Sequence, residues 1–217
     1  TYPSGAVSYS YDAVGNREAM TDSFGLTTYD FDDLDRLSEV SSPNGVVSYT
    51  YDLYGNRTSI TENGTHTTQY TYDLDDLLRT VTDDASRITE YSYDAAHRQA
   101  GTAYPNGVQA TLLFDDGDRL KSITHSHATH GVITSATYTL DKVGNRTSMV
   151  DPDGTTGYVY DDLYRLKQVT YPDGEQVTYD YDPMGNRESL ASTVHGTTTY
   201  DYDAADRLLS YTEPGGT

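Results

Sequence analysis

The stretch Tyr49-Thr50-Tyr51-Asp52-Leu53-Tyr54-Gly55-Asn56-Arg57-Thr58-Ser59-Ile60 carries the pattern that organises the whole chain. Tyr49 and Tyr51 are separated by one threonine, the period-2 alternation of a strand with one covered and one wet face. Asp52 can accept hydrogen bonds from turn amides, and Gly55 and Asn56 suit a left-handed turn. Ile60, eight residues past the aspartate, marks the covered face of a returning strand. One short hairpin is therefore written out in these residues.

The phrase recurs ten times at a spacing of about 21 residues, anchored at Asp12, Asp32, Asp52, Asp73, Asp94, Asp115, Asp141, Asp161, Asp182 and Asp203. Tyr9 and Tyr11 precede Asp12, and Tyr179 and Tyr181 precede Asp182, as Tyr49 and Tyr51 precede Asp52. The apolar marker returns as Met20, Val40, Val81, Val169 and Leu190. Between repeats lie Pro43-Asn44-Gly45, Pro105-Asn106-Gly107, Pro152-Asp153-Gly154 and Pro172-Asp173-Gly174, strong signals for a second kind of turn. A fixed short period of this kind means one supersecondary unit copied and stacked. The expectation is an all-β array, residues 1–217, of about ten tandem hairpins whose tyrosine face is the more densely packed. The alternative is a five-bladed β-propeller, with four strands in each blade.

The turn after the aspartate has two alternating spellings. Gly-Asn-Arg ends at Arg17, Arg57, Arg146 and Arg187, while Arg-Leu begins at Arg36, Arg119, Arg165 and Arg207. The larger unit is thus about 41 residues. An arginine so placed can bridge to an anchoring aspartate or lie over a tyrosine ring. These residues, with Tyr9, Tyr11, Asp12, Arg17, Tyr49, Tyr51, Asp52, Arg57, Tyr179, Tyr181, Asp182 and Arg187 as the representative set, are read as scaffold.

A net charge of -20 speaks against a nucleic-acid partner, because phosphate binding needs clustered Lys and Arg. No apolar run is long enough for a membrane-spanning helix. Cysteine is absent, which removes disulfides, thiolate metal sites and a cysteine nucleophile. Carboxylate clusters such as Asp30-Phe31-Asp32-Asp33 recur with the repeat, whereas a catalytic pair requires a unique cleft, so no enzyme is expected. No cofactor is expected either. His125, His127 and His130 fall in the one long interval, Asp115 to Asp141. A His-x-His pair on a strand places two rings on one face, suited to zinc or nickel, but no further ligand is identifiable nearby and a solvated, lengthened hairpin is the preferred reading.

These YDxxGNR and YDxxxRL phrases, separated by PNG or PDG turns, resemble the YD repeats of the RHS family. Leu77 in place of the alternating arginine, His97-Arg98-Gln99 in place of Gly-Asn-Arg, and Leu140 in place of the last tyrosine are the departures. The resemblance implies a curved, spiralling antiparallel sheet, part of a hollow shell that encloses a toxic C-terminal polypeptide in bacterial polymorphic toxins and toxin complexes. Teneurins carry a related barrel at the surface of animal cells. The chain then reads as a fragment of shell wall from a longer secreted or cell-surface bacterial protein, with flanking shell repeats and an enclosed toxin as partners. The alternative function is an extracellular carbohydrate-binding or adhesion module, in which Tyr54, Tyr104 or Tyr164 would meet surface glycans.

Overall fold

The computed structural model describes residues 6–215, which form twenty antiparallel strands and no helix. Two compact units are distinguished, Thr1–Val108 and Gln109–Thr217, and each is described by itself. The first contains β1 (Ser8–Tyr11), β2 (Arg17–Asp22), β3 (Gly25–Phe31), β4 (Leu37–Ser42), β5 (Gly45–Tyr51), β6 (Arg57–Glu62), β7 (His66–Tyr72), β8 (Leu78–Thr82), β9 (Ile88–Tyr93) and β10 (Gln99–Ala103). Strand β11 (Val108–Phe114) begins at the boundary. The second unit continues with β12 (Leu120–His127), β13 (Gly131–Leu140), β14 (Arg146–Asp151), β15 (Gly154–Tyr160), β16 (Leu166–Thr170), β17 (Gln176–Tyr181), β18 (Arg187–Ser192), β19 (Gly196–Tyr202) and β20 (Leu208–Thr212).

Within the first unit each strand pairs with the next in sequence, from β1 through β10. The second unit does the same from β12 through β20. This pairing overturns the five-bladed alternative. Blades of four strands would leave gaps in the ladder after every fourth strand, yet β4 pairs with β5, β8 with β9, β12 with β13 and β16 with β17. The repeats instead share one open ladder in each unit.

Register places the expected residues opposite one another. Tyr9 faces Met20, Tyr29 faces Val40, Tyr49 faces Ile60, Tyr158 faces Val169 and Tyr179 faces Leu190. The marker then meets a small residue on the following strand, as Val40 meets Val47 and Val169 meets Val177. Among the described residues the five buried ones, Thr102, Ala110, Thr156, Val169 and Val177, occupy this tyrosine face. Tyrosine rings and arginine stems provide the cover that a second layer would give elsewhere, which is why no large side chain among the described residues is fully buried. The opposite face carries hydroxyls bonded across strands, such as Thr50 with Ser59 at 2.7 Å and Thr71 with Thr80 at 2.6 Å.

The two kinds of hairpin differ in backbone. Hairpins turning at an anchoring aspartate slip register by one just before the second aromatic position, as between Thr50 and Tyr51 or Asp180 and Tyr181. Such a bulge bends the strand and raises its twist. Return hairpins between Asp22 and Gly25, Ser42 and Gly45, or Asp151 and Gly154 carry no slip. Their glycines also make room for the next turn. A Cβ on Gly154, whose φ is 133°, would lie 2.7 Å from Pro172 Cβ.

Candidate functional site

Each anchoring aspartate organises its turn in the same way. Asp52 Oδ1 accepts from the amides of Tyr54 and Asn56, both at 2.9 Å, and its own amide donates to Asn56 O at 2.9 Å. Gly15, Gly55, Gly144 and Gly185 take positive φ in the Gly-Asn-Arg turns, and Asp35, Asp118, Tyr164 and Asp206 take it in the Arg-Leu turns. The asparagines expected to share that duty have no left-handed backbone. Their side chains do something else.

Asn16 Nδ2 donates to Asp35 Oδ1 at 3.1 Å, Asn56 Nδ2 to Asp76 Oδ1 at 2.8 Å, and Asn186 Nδ2 to Asp206 Oδ1 at 2.8 Å. Each bond runs from a Gly-Asn-Arg turn to the left-handed aspartate of the following turn. The Arg-Leu turns complete the chain of contacts. Arg36 holds Asp32 through Nε and Nη2, at 2.8 and 2.7 Å, while its Nη1 donates to Asp52 O in the next turn at 3.0 Å. Arg119 likewise holds Asp115 and reaches Asp141 O at 2.9 Å. The alternation of spellings is therefore an alternation of donors along one rim of the sheet.

These contacts set the acidity of the carboxyls. The Arg119 side chain, with the turn amides, holds Asp115 down to about 2. Arg36, Arg98 and Arg207 lower Asp32, Asp94 and Asp203 in the same manner, and the Asn186 side chain does so for Asp182.

On the tyrosine face the arginines divide by spelling. Three of the Gly-Asn-Arg arginines lie over the first tyrosine of the next repeat: Arg17 stands 4.1 Å from the Tyr29 ring centroid, Arg57 5.1 Å from Tyr70, and Arg187 4.4 Å from Tyr200, whereas Arg146 lies 4.3 Å from Tyr138 of its own repeat and 5.9 Å from Tyr158 of the next. Arg36 and Arg165 lie over the second tyrosine, 4.6 Å from Tyr51 and 4.5 Å from Tyr181. The second tyrosine also donates its hydroxyl backward. Tyr51 bonds Leu37 O at 2.8 Å, Tyr181 bonds Leu166 O at 2.8 Å, and Tyr72, Tyr93, Tyr160 and Tyr202 repeat the contact. Burial pushes the pKa values of the Tyr72, Tyr93, Tyr160 and Tyr179 hydroxyls above the ordinary phenol value.

The representative scaffold residues thus fall into two groups. Tyr9, Tyr49 and Tyr179 line the ladder, with Tyr51 and Tyr181 clamping backward, while Tyr11, on the first strand, pairs with Arg17. Asp12, Asp52 and Asp182 sit in the turns, and Arg17, Arg57 and Arg187 cover rings. Arg187 Nε is buried without a hydrogen-bond partner.

No set of three or more His, Asp or Glu able to hold a metal converges among the described residues. The histidine stretch behaves differently from the His-x-His reading. His127 meets His130 across the tip of the β12–β13 hairpin, Nδ1 to Nδ1 at 2.9 Å, and Thr129 Oγ1 lies 2.9 and 3.0 Å from the two nitrogens. Of the tyrosines considered for sugar stacking, Tyr54 is 84% exposed on the aspartate rim and Tyr104 stands on the opposite, return rim of the same unit, so they share no platform. In the second unit an open groove lies among Tyr179, Tyr200, Asp180, Asp201 and Glu188.

A family model described as Teneurin YD-shell matches residues 4–213. No curated protein matches the sequence. Among solved structures, the crystal structure of TcdB2-TccC3 without its hypervariable C-terminal region is similar over 95% of this chain, with a TM-score of 0.79 and 16% identity. That of TcdB2-TccC3-TEV is similar over 96%, with a TM-score of 0.51 and 15% identity. At these identities the likeness is one of fold. The chain spans only 13% and 16% of those two chains.

Proposed function

The chain belongs to the Teneurin YD-shell family, and on that premise we propose that it is a stretch of shell wall whose work is mechanical: it encloses or displays a polypeptide and does not act as an enzyme. The observation that carries this reading is that, within each unit, neighbouring repeats are joined by three kinds of contact. Strand hydrogen bonds join them through the middle, asparagine and arginine side chains along the aspartate rim, and tyrosine hydroxyls over one face. The chemistry-bearing side chains are thereby used internally, which suits a wall and leaves no isolated nucleophile and base.

The enclosed or displayed partner is an unfolded toxin or effector polypeptide, held inside by flanking shell repeats, and the setting is a secreted or cell-surface protein. No helix among the described residues is long and apolar enough to cross a membrane. With a net charge of -20, the wall attracts basic cargo by long-range electrostatics. The test is retention of a fluorescent, unstructured, lysine-rich peptide by the purified chain. Retention should be strong at low salt and lost in molar salt, where the screening length falls to about 3 Å. Retention unchanged by salt would refute the electrostatic role. Saturable oligosaccharide binding that disappears on changing Tyr54, Tyr104 or Tyr164 to alanine would replace the wall reading by a glycan-binding one.

A further inference from the structure

The aspartate rim of the first unit carries a row of apolar side chains that the fold does not use. Val14, Leu34, Leu53, Tyr54 and Leu74 sit at the tips of four successive turns, those of Asp12, Asp32, Asp52 and Asp73. All five are exposed, Leu53 to 98% and Leu74 fully. The turn does not need their bulk. Ala95-Ala96, Asp116-Gly117 and Ala204-Ala205 stand at the same places, and there the anchoring aspartates accept the amides of Ala96, Gly117 and Ala205 at 2.9 Å, as Asp32 and Asp52 accept those of Leu34 and Tyr54. A single exposed leucine is ordinary, but a contiguous row marks a contact surface. The same turns expose the carboxylates of Asp33, Asp35, Asp75 and Asp76. Asp35 and Asp76 are bonded only by the neutral amides of Asn16 and Asn56, and His97 Nε2 lies 3.6 Å from Asp75. The arginines of these turns are engaged elsewhere, Arg36 by Asp32 and Arg17 and Arg57 by tyrosine rings.

We propose that this rim docks an extended, basic polypeptide segment in the polyproline II conformation, with an apolar residue at every third position. The pitch selects the conformation. Neighbouring aspartate turns are two strands apart, about 9.4–9.8 Å. A polyproline II helix returns every third residue to the same side after about 9.3 Å. Heptad positions of an α-helix recur after about 10.5 Å, a drift of about 2–3 Å over the three intervals of this row. Same-face residues of a β-strand recur after about 6.6 or 13 Å and miss the tips. Lysine or arginine between the apolar residues meets the exposed carboxylates, and proline suits the Tyr54 ring. The second unit has a shorter row, Val143, Leu163 and Met184, with the exposed Lys142 beside it, and fits a basic segment less well. Docking at the rim requires no closed shell, so it stands apart from enclosure.

The experiment is fluorescence anisotropy of a labelled peptide, four repeats of leucine-proline-lysine, titrated with the 217-residue chain at physiological salt. Proline holds both itself and the leucine before it in extended backbone. The peptide should bind saturably, and one of the same composition with its leucines grouped together should bind about tenfold more weakly. Leu53→Ala together with Leu74→Ala should weaken the regular peptide by about tenfold, the loss of two half-buried leucines, whereas Leu163→Ala with Met184→Ala should leave it within about twofold. Alanine already stands in equivalent turns at Ala95, Ala96, Ala204 and Ala205, so folding is preserved, and circular dichroism of each variant checks this. Equal binding of the grouped peptide would show the general pull of net charge and overturn the proposal, as would binding unchanged in the Leu53 and Leu74 variant. Tighter binding of a lysine-rich amphipathic helix with leucine at every seventh position would refute the pitch.

Discussion

Replacing Tyr181 by phenylalanine isolates the backward tyrosine clamp. The ring stays, and with it the Arg165 contact at 4.5 Å; only the 2.8 Å bond from the hydroxyl to Leu166 O is lost. A neutral intramolecular hydrogen bond contributes about 0.5–1.5 kcal/mol net, so the variant should be destabilised by about 1 kcal/mol. For a chain of this length that corresponds to a fall of about 2–4 °C in Tm. Tyr181→Ala removes the ring and the cation contact as well, adding about 0.5–1 kcal/mol for the latter alone. The assay is urea denaturation followed by circular dichroism, with Tyr54→Phe as control, because Tyr54 is 84% exposed and its ring lies outside the ladder. Tyr51→Phe, which loses the equivalent bond to Leu37 O in the other unit, should repeat the result. If Tyr181→Phe and Tyr51→Phe match Tyr54→Phe within error, the hydroxyl bonds do not couple repeats and the clamp is refuted.

Acid should weaken the fold from the turns. Asp115 lies at about 2 when folded, whereas an unfolded aspartate titrates near ~3.9, so the unfolded chain takes up protons first. The stability from this group is present above about pH 4 and disappears as pH falls through about 2; urea midpoints measured from pH 7 to pH 2 should fall, and Asp115→Asn should flatten part of that decline. Gly154→Ala should destabilise by more than about 1 kcal/mol, since it combines a positive φ with a close approach to Pro172, whereas Gly157→Ala, with open space at its Cβ, should be tolerated in the same thermal melt. Tyr164 holds a left-handed backbone that costs a bulky residue about 1–2 kcal/mol. Tyr164→Asp should therefore raise Tm, and it offers Asn145 the acceptor that Asn16, Asn56 and Asn186 already have.

The strands, the two aromatic positions, the marker opposite the first and the denser tyrosine face were legible in the sequence because a period of two states them directly. Arginine was read as pairing with aspartate or covering tyrosine, and both occur, divided by spelling: Arg36 does both, while Arg17 covers a ring. Less was legible where the determinant lies in a neighbouring repeat. Nothing in Gly55-Asn56-Arg57 alone says that Asn56 will reach Asp76, twenty residues on, or that Tyr72 will bond the Arg57 carbonyl. Five blades remained an alternative for the 41-residue unit, because periodicity counts strands without saying whether a fourth pairs with a fifth. In the histidine stretch, which is a lengthened hairpin as read, alternation on a strand could not state that the register slip and the tight tip bring His127 to His130.

The wall reading is tested most directly by limited proteolysis of the natural polypeptide that carries this chain, with fragments identified by mass spectrometry. The account predicts that these repeats resist cleavage and that an unfolded stretch of the same polypeptide survives with them, becoming labile only when rim contacts are removed by Arg36→Ala and Arg119→Ala together. Cleavage of every unfolded stretch at the rate of a free peptide, while the repeats remain intact, would contradict it.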